Sequence, residues 1–309
     1  MRIAFFGSGT FAIPILQYLI TLHDVVQVVT RPDAKRGRGQ RDSISLVGEF
    51  CEKNHIEAFS PESVNEPESI DIIKSKNANL AILVSYSDIL SPEVIRCFEL
   101  GIINIHPSLL PEYRGAEPIR WPIRKGDNKT GVTMMMLSSR LDRGNIINVQ
   151  KIGITNEDDY ATLTDKLISL SKEMIPDTIE KVRNGFAGYP QSQEKTFYAR
   201  RLRQEDEKIN WSLDAFHISC HIRSMSPTPG CYAVFKDKRV KFFEPEVVEK
   251  RGHPGEILVA KKQLVVACCD GSLSFKSAQK EGSKRMAIKD FLASDWIAVG
   301  DRFLVDRDS

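Results

Sequence analysis

Arg2-Ile3-Ala4-Phe5-Phe6-Gly7-Ser8-Gly9-Thr10-Phe11-Ala12 carries an apolar run that stops at a Gly-x-Gly pair. An uninterrupted apolar run of this length reads as a strand buried on both faces, the situation of a parallel sheet. The two glycines permit a tight turn, and Phe11–Leu22 then follows with helical spacing. Strand, turn and helix in that order are the unit from which α/β folds are wound. The alternation continues downstream. Val25–Thr30, Ala78–Ser85, Ile102–Ile105 and Val132–Leu137 read as buried strands, and Ile146–Ile154 as another. Asp42–His55 reads as a helix, with Ile44, Val47, Phe50 and Cys51 near the 3.6-residue period, and Asp159–Asn184 as a long amphipathic one. Residues 1–187 are therefore expected to form an α/β domain with a doubly wound, Rossmann-like parallel sheet.

The pattern changes after Gly185. Gly185 to about Gln204 opens Gly-Phe-Ala-Gly-Tyr-Pro-Gln-Ser-Gln and continues into the basic run Arg200, Arg201 and Arg203, so residues 188–206 are read as a linker. A helix is expected at Leu213–Met225, closed by Ser226-Pro-Thr-Pro-Gly230. Short strands should follow at Tyr232–Phe235, Val240–Glu244, Gly255–Val259, Leu264–Cys269 and Ser272–Ser277. Short strands with turn signals such as Asp270-Gly271 imply a small OB-like β-barrel over residues 207–309.

A length of 309 residues suits two domains, and 41% hydrophobic with 27% charged residues is ordinary for a globular chain. A net charge of +2 is too mild to imply nucleic-acid binding, which must come from local clustering. The six cysteines show no C-x-x-C pair and no zinc or disulfide spacing. Cys268 and Cys269 are expected in the barrel wall, and a reducing compartment fits best. Gly7, Gly9 and Pro14 interrupt what would otherwise resemble a signal peptide. No stretch reaches the roughly 18 apolar residues of a membrane span. The expectation is a cytoplasmic protein without a membrane partner.

Two motifs in the first domain carry chemistry. Gly7-x-Gly9-x-x-Ala12 fits a dinucleotide fingerprint, but the second strand ends Val29-Thr30-Arg31 where an acidic residue would hold a ribose. An Arg there could accept a 2′-phosphate, which leaves an NADP-dependent oxidoreductase open; the plainer reading is a tight turn. The second motif is Asn104-Ile105-His106-Pro107-Ser108-Leu109-Leu110-Pro111. On a strand Asn104 and His106 point to the same face, at the end where open α/β sheets bind ligands. The plainer reading is a satisfied structural Asn beside a surface His. Asp142, in Leu141-Asp142-Arg143-Gly144, reads by itself as a turn residue capping its own backbone.

Taken together, Asn104-x-His106-x-Ser108-Leu-Leu-Pro111, Tyr113-Arg114-Gly115-Ala116-x-Pro118, Gly131-Val132-Thr133 and Leu141-Asp142-x-Gly144 resemble the 10-formyltetrahydrofolate-dependent formyltransferases, in particular those that act on methionyl-tRNA. Arg31-Pro32-Asp33 with Gly37-Arg38-Gly39 extends the resemblance. So do Tyr198-Ala199-x-x-Leu202, Ile209-x-Trp211, Pro227-x-Pro229-Gly230, Pro254-Gly255-x-Ile257 and Gly271-x-Leu273. It covers nearly the whole chain and is most specific in the Asn104–Pro111 segment. The chain departs from the family pattern at Gln40–Ser45 and at Ser87 after Tyr86.

The resemblance implies a formyl transfer from 10-formyltetrahydrofolate, without a metal, to a primary amine. Attack of an amine on a formyl carbon develops an oxyanion and a protonated amine. Asn104 could donate to the oxyanion, His106 could take the amine's proton, and Asp142 could orient the imidazole and stabilise its charged form. Ser108, Leu109, Leu110 and Pro111 would wall the folate pocket, or else simply pack on the core.

Arg31, Lys35, Arg36, Arg38 and Arg41 put five cations in eleven residues against the single carboxylate Asp33. By itself such a run is usually a solvated face. Beside the presumed site, Lys35, Arg36, Arg38 and Arg41 suit the acceptor stem of an initiator tRNA, whose phosphates dominate affinity. No obligate protein partner is implied. Two other answers stay open: a sugar-nucleotide amine N-formyltransferase using the same donor, and a non-catalytic tRNA-binding protein.

Overall fold

The computed structural model describes residues 1–32, 34–36, 41–43, 45–86, 88–194, 196–293 and 296–305. The chain divides into two compact units. The first comprises Met1–Pro118, Thr130–Ile152 and Thr164–Tyr198, and the second Ile119–Lys129, Gly153–Leu163 and Ala199–Ser309.

The first unit is built on a seven-stranded sheet ordered Ile146–Gly153, Lys129–Met136, Ile102–His106, Leu80–Val84, Arg2–Gly7, Asp24–Val29 and Ala58–Phe59. The central strands Arg2–Gly7, Leu80–Val84 and Ile102–His106 are apolar apart from a few positions and are buried almost throughout, as the uninterrupted hydrophobic runs require. Five of the seven strands run parallel. The doubly wound, mostly parallel sheet expected from the sequence is present, with one strand reversed: Lys129–Met136 pairs antiparallel with Ile102–His106, His106 lying opposite Thr133 and Asn104 opposite Met135. The chain then turns back at once, with Met136 N–H donating to Asn145 O and Ile154 N–H to Asn128 O.

From Arg2–Gly7 the chain first adds strands on one side and then crosses to add Leu80–Val84 and Ile102–His106 on the other. Ligand crevices of open α/β sheets form at the carboxyl ends of strands around such a reversal. Asn104 and His106 end one of those strands.

The helix expected at Asp42–His55 begins later, at Leu46, and ends at Lys53. Ser45 takes the N-cap, its hydroxyl accepting from Gly48 N–H at 2.9 Å. Asp42 and Ser43 belong instead to a short strand, Arg41–Ser43, paired antiparallel with Ala34–Arg36. Among the described residues no helix is long and apolar enough to cross a membrane.

The second unit has an antiparallel sheet ordered Cys231–Phe235, Lys238–Val248, Ser272–Lys280, Leu264–Ala267 and Ile257–Ala260. The segment Asp301–Leu304 bonds to both edges of it. Ile257 N–H donates to Asp301 O and Phe303 N–H to Gly255 O on one side, and Leu304 N–H to Val234 O on the other. That joins the edges as a barrel requires. Inside lie Trp211, Phe242, Phe275 and Phe303, with Phe242 stacked on Phe275 at 4.5 Å between centroids. Cys268 is buried, whereas Cys269, expected beside it in the wall, is exposed.

A polar knot sits under the helix Ala215–Met225. Asp206 accepts two bonds from Arg200, at 2.7 and 2.8 Å, and its carbonyl accepts from His221 Nε2 at 2.6 Å. The Arg200 bond, helped by Arg203 N–H and Arg124, holds the Asp206 carboxyl at about 2 despite its burial. Burial, with the Arg124 charge, pushes His221 down to about 4. Both depressed values mean that the unfolded chain binds more protons, so stability falls with acid. His221 contributes to the fall from the ordinary 6.5 toward about 4, and Asp206 from 3.8 toward about 2. In Asp206→Asn, denaturant melts should show the lower step flattened, a contribution of at most about 2 kcal/mol. An unaltered slope between those two pH values would contradict this assignment.

Candidate active site

Asn104 and His106 share a face at the end of Ile102–His106, and both are buried, at 7% and 5% exposure. The plainer reading of His106 as a surface residue is thereby excluded. His106 Nε2 lies 3.0 Å from Tyr113 O. A carbonyl can only accept, so Nε2 carries the proton and Nδ1 is the nitrogen left for chemistry. Tyr113 has a left-handed backbone, φ 60°, sparsely populated for a bulky residue. That conformation aims its carbonyl at the imidazole.

Asp142 is brought to His106 by the loop after Lys129–Met136. Its Oδ1 stands 3.7 Å from His106 Nδ1, with both side chains buried. Oδ2 accepts from Gly115 N–H at 2.9 Å, so the carboxylate caps a distant loop and not its own turn. Asp142 also has a left-handed backbone, φ 51°. Two residues on, Gly144 is pressed against Met136: a Cβ there would overlap the Met136 carbonyl, its carbon only 2.8 Å away. The Asp-x-Gly spacing thus lets the loop fold flat on the sheet and turns the carboxylate toward the imidazole.

Among the described residues the Asn104 carboxamide has no hydrogen-bond partner. Its amide atoms are not among the side-chain atoms sealed from solvent without a partner, so the amide is available to a ligand oxygen. Nδ1 and Oδ1 are two acceptors too far apart to bond each other. A group with N–H bonds to donate, such as a primary amine or its ammonium, can bridge them.

Ser108–Pro111 continues directly from the strand. Its backbone is largely committed: Ser108 N–H donates to His106 O at 2.9 Å, Leu110 N–H to Thr133 Oγ1 at 3.1 Å, and Thr133 Oγ1 in turn to Ser108 O at 2.7 Å. Ser108 and Leu110 are buried, while Leu109 is half-buried. What the loop offers a ligand is a stiff apolar wall, which fits one face of a flat heterocycle.

Sequence reasoning missed three contributors: Thr133, which pins that wall, and Arg114 with Gln191, which hold the Asp142 loop. Thr133 could have been found from the antiparallel pairing once His106 was suspected. Gln191 sits in a Gly- and Pro-rich stretch read as linker, and nothing local marks it. Of the basic residues, Arg38 lies outside the described residues, as do the side chains of Lys35, Arg36 and Arg41. Arg200, in the basic run read as linker, pairs with Asp206.

Residues 1–179 match the family Formyl transferase, and residues 201–295 match Formyl transferase, C-terminal domain. The chain is 38% identical over 305 residues to a methionyl-tRNA formyltransferase of Caldanaerobacter subterraneus subsp. tengcongensis, covering 97% of this chain and 99% of the relative. It is 35% identical over 296 residues to one of Staphylococcus epidermidis, covering 94% and 96%. Among solved structures it resembles an N-formyltransferase from Helicobacter canadensis in complex with folinic acid and dTDP-3-aminofucose, with TM-score 0.66, 20% identity, and coverage of 91% of this chain and 99% of that one. It also resembles HypX from Aquifex aeolicus in complex with tetrahydrofolic acid, with TM-score 0.65, 18% identity, and coverage of 97% and 48%. Those two likenesses speak for the fold alone.

Proposed function

The chain belongs to the formyl transferase family, among its methionyl-tRNA formyltransferases, and from that premise we propose that Asn104, His106 and Asp142 are the catalytic groups of its reaction. The reaction moves a formyl group from a formyl-tetrahydrofolate to methionyl-tRNA. The observation that carries the assignment is the buried facing of His106 Nδ1 and Asp142 Oδ1 at 3.7 Å, with Nε2 fixed on Tyr113.

In this reading the α-amino group of the methionyl ester enters between Nδ1 and Oδ1. Nδ1 takes a proton as the amine attacks, and the imidazolium that results has its counter-charge in Asp142. Gly115 N–H holds Oδ2, so Oδ1 stays aimed at the ring. The Asn104 amide donates to the formyl oxygen as it becomes negative, and the tetrahedral intermediate collapses by breaking the bond from the formyl carbon to the folate nitrogen, which takes the proton back from the imidazolium as the tetrahydrofolate leaves. The donor would be 10-formyltetrahydrofolate, with its pterin on the Ser108–Pro111 wall. The cytoplasm, where the fold class and free thiols fit, is the proposed location.

Lys35, Arg36, Arg38 and Arg41 are proposed to grip the acceptor stem of initiator tRNA. Phosphate contacts release counterions, so their affinity weakens as salt rises. Arg36→Ala with Arg38→Ala should raise the Michaelis constant for charged tRNA and leave that for the folate donor nearly unchanged. The salt slope of tRNA binding should become shallower by roughly one unit per lost contact. Unchanged tRNA constants and slopes in the double variant would remove the grip and favour a sugar-nucleotide acceptor.

A further inference from the structure

Gln191 lies far from His106 in sequence and was not among the residues expected to act. It is buried, at 7% exposure, and its carboxamide bonds to the Asp142 loop, to Arg114 and, at 3.5 Å, to Met135 Sδ. Nε2 donates to Asp142 O at 3.0 Å and to Gly144 O at 2.8 Å. Oε1 accepts from Arg114 Nη2 at 2.6 Å and from Arg114 Nε at 3.2 Å. Arg114 Nε in turn donates to Asp142 O at 3.0 Å. The carboxamide therefore ties together the two carbonyls that flank the Asp142 turn, and orients the guanidinium that holds one of them.

We propose that Gln191 is a positioning residue for catalysis, which keeps Asp142 Oδ1 facing His106 Nδ1 by clamping the main chain of the Asp142–Gly144 turn. The inference rests on the assignment of Asp142 and His106 above. The turn needs such a clamp. Asp142 is held at a left-handed φ of 51°, a conformation that persists only where surroundings over-determine it. Among the described residues the side chain has one hydrogen-bond anchor, Gly115 N–H, so the backbone decides where Oδ1 points. Gln is suited to the task because it presents donors and an acceptor together. The two carbonyls need donors and the arginine needs an acceptor. Misplacement of a catalytic group by about 1 Å can reduce turnover on the order of 100-fold.

Two substitutions separate this role from simple filling of space. Gln191→Met keeps length and apolar volume and loses every bond. Gln191→Glu keeps the Arg114 contact and turns the two donors into an acceptor against two carbonyls. Both should lower kcat by roughly tenfold or more, with the Michaelis constants for tRNA and folate within about twofold of the parent. In both, the acidic limb of the kcat profile should move to lower pH, because a carboxylate that has drifted from an imidazolium stabilises it less. Should Gln191→Met not fold, Gln191→Glu carries the same test.

The decisive arm is the double variant. If Gln191 acts through Asp142, then Gln191→Glu in an Asp142→Asn background should cost little beyond Asp142→Asn alone, since the carboxylate it positions is already gone. Losses that multiply would overturn the proposal, as would parental kcat and pH profile in folded single variants. If instead Asp142→Asn alone keeps full activity, the catalytic assignment fails first, and the positioning role falls with it.

Discussion

His106→Ala loses on the order of 100-fold or more in turnover, and Asn104→Ala loses a comparable amount by a different route. Positioned general bases contribute about 10²–10⁴ in rate, and one preorganised oxyanion donor about 10²–10³. His106→Ala removes the proton acceptor and the one bond from Nε2 to Tyr113 O, a stability loss of about 1 kcal/mol. That is a tolerable fraction of a domain's stability, so the variant should remain folded by circular dichroism. Asn104→Ala should leave stability nearly unchanged, because the amide it removes makes no hydrogen bond among the described residues and is not sealed from solvent. The pair is thus separable: both lose turnover, but only the His106 variant should also lose stability. Parental turnover in either folded variant would take that residue out of the mechanism.

Asp142→Asn should be comparably damaging, although it deletes one charge and almost no volume. The amide can still approach Gly115 N–H through its oxygen, so the turn at Arg114, Gln191 and Gly144 should persist. What is lost is the counter-charge for the imidazolium. Removing a carboxylate near a histidine disfavours the charged ring, so the limb of the pH–rate profile that reports His106 should shift to lower pH or disappear, together with a fall in kcat. The plainer alternative was a carboxylate that caps its own turn. An Asn that retained full activity and an identical profile would leave Asp142 as a structural residue that caps the Gly115 loop.

How much of this was legible in the chain depends on the range of the forces involved. Arg2–Gly7, Leu80–Val84 and Ile102–His106 could be read because central strands buried on both faces must be continuously apolar, and that signal is local. The common face of Asn104 and His106 follows from the two-residue strand period alone. Strand direction is not local. An apolar run such as Val132–Leu137 looks the same whichever way it enters the sheet, so the antiparallel partner of Ile102–His106 was missed. The late start of the helix at Leu46 had a readable cue in Ser45, a favoured N-cap residue just before the first periodic positions. The periodicity of Ile44 outweighed it. Gln191 had no cue. Its burial comes from Arg114, Asp142 and Gly144, all more than 40 residues away in the chain, while its neighbours are turn formers that read as linker. Asp142 fell between these cases. Its turn was visible in Leu-Asp-x-Gly, but the partner across it was supplied by resemblance and then by the 3.7 Å facing of His106.

The most direct test follows the product. Methionyl-tRNA is incubated with 10-formyltetrahydrofolate and either the parent chain, His106→Ala or Asp142→Asn, and the mass of the aminoacyl group is measured before and after. The parent should replace one amine hydrogen with a formyl group on nearly every charged molecule. The two variants should leave the methionyl mass unchanged over the same interval. A methionyl group that gains no formyl mass with the folded parent chain, or gains it as fast with either variant, would contradict the assignment of Asn104, His106 and Asp142 as the formyl-transfer site.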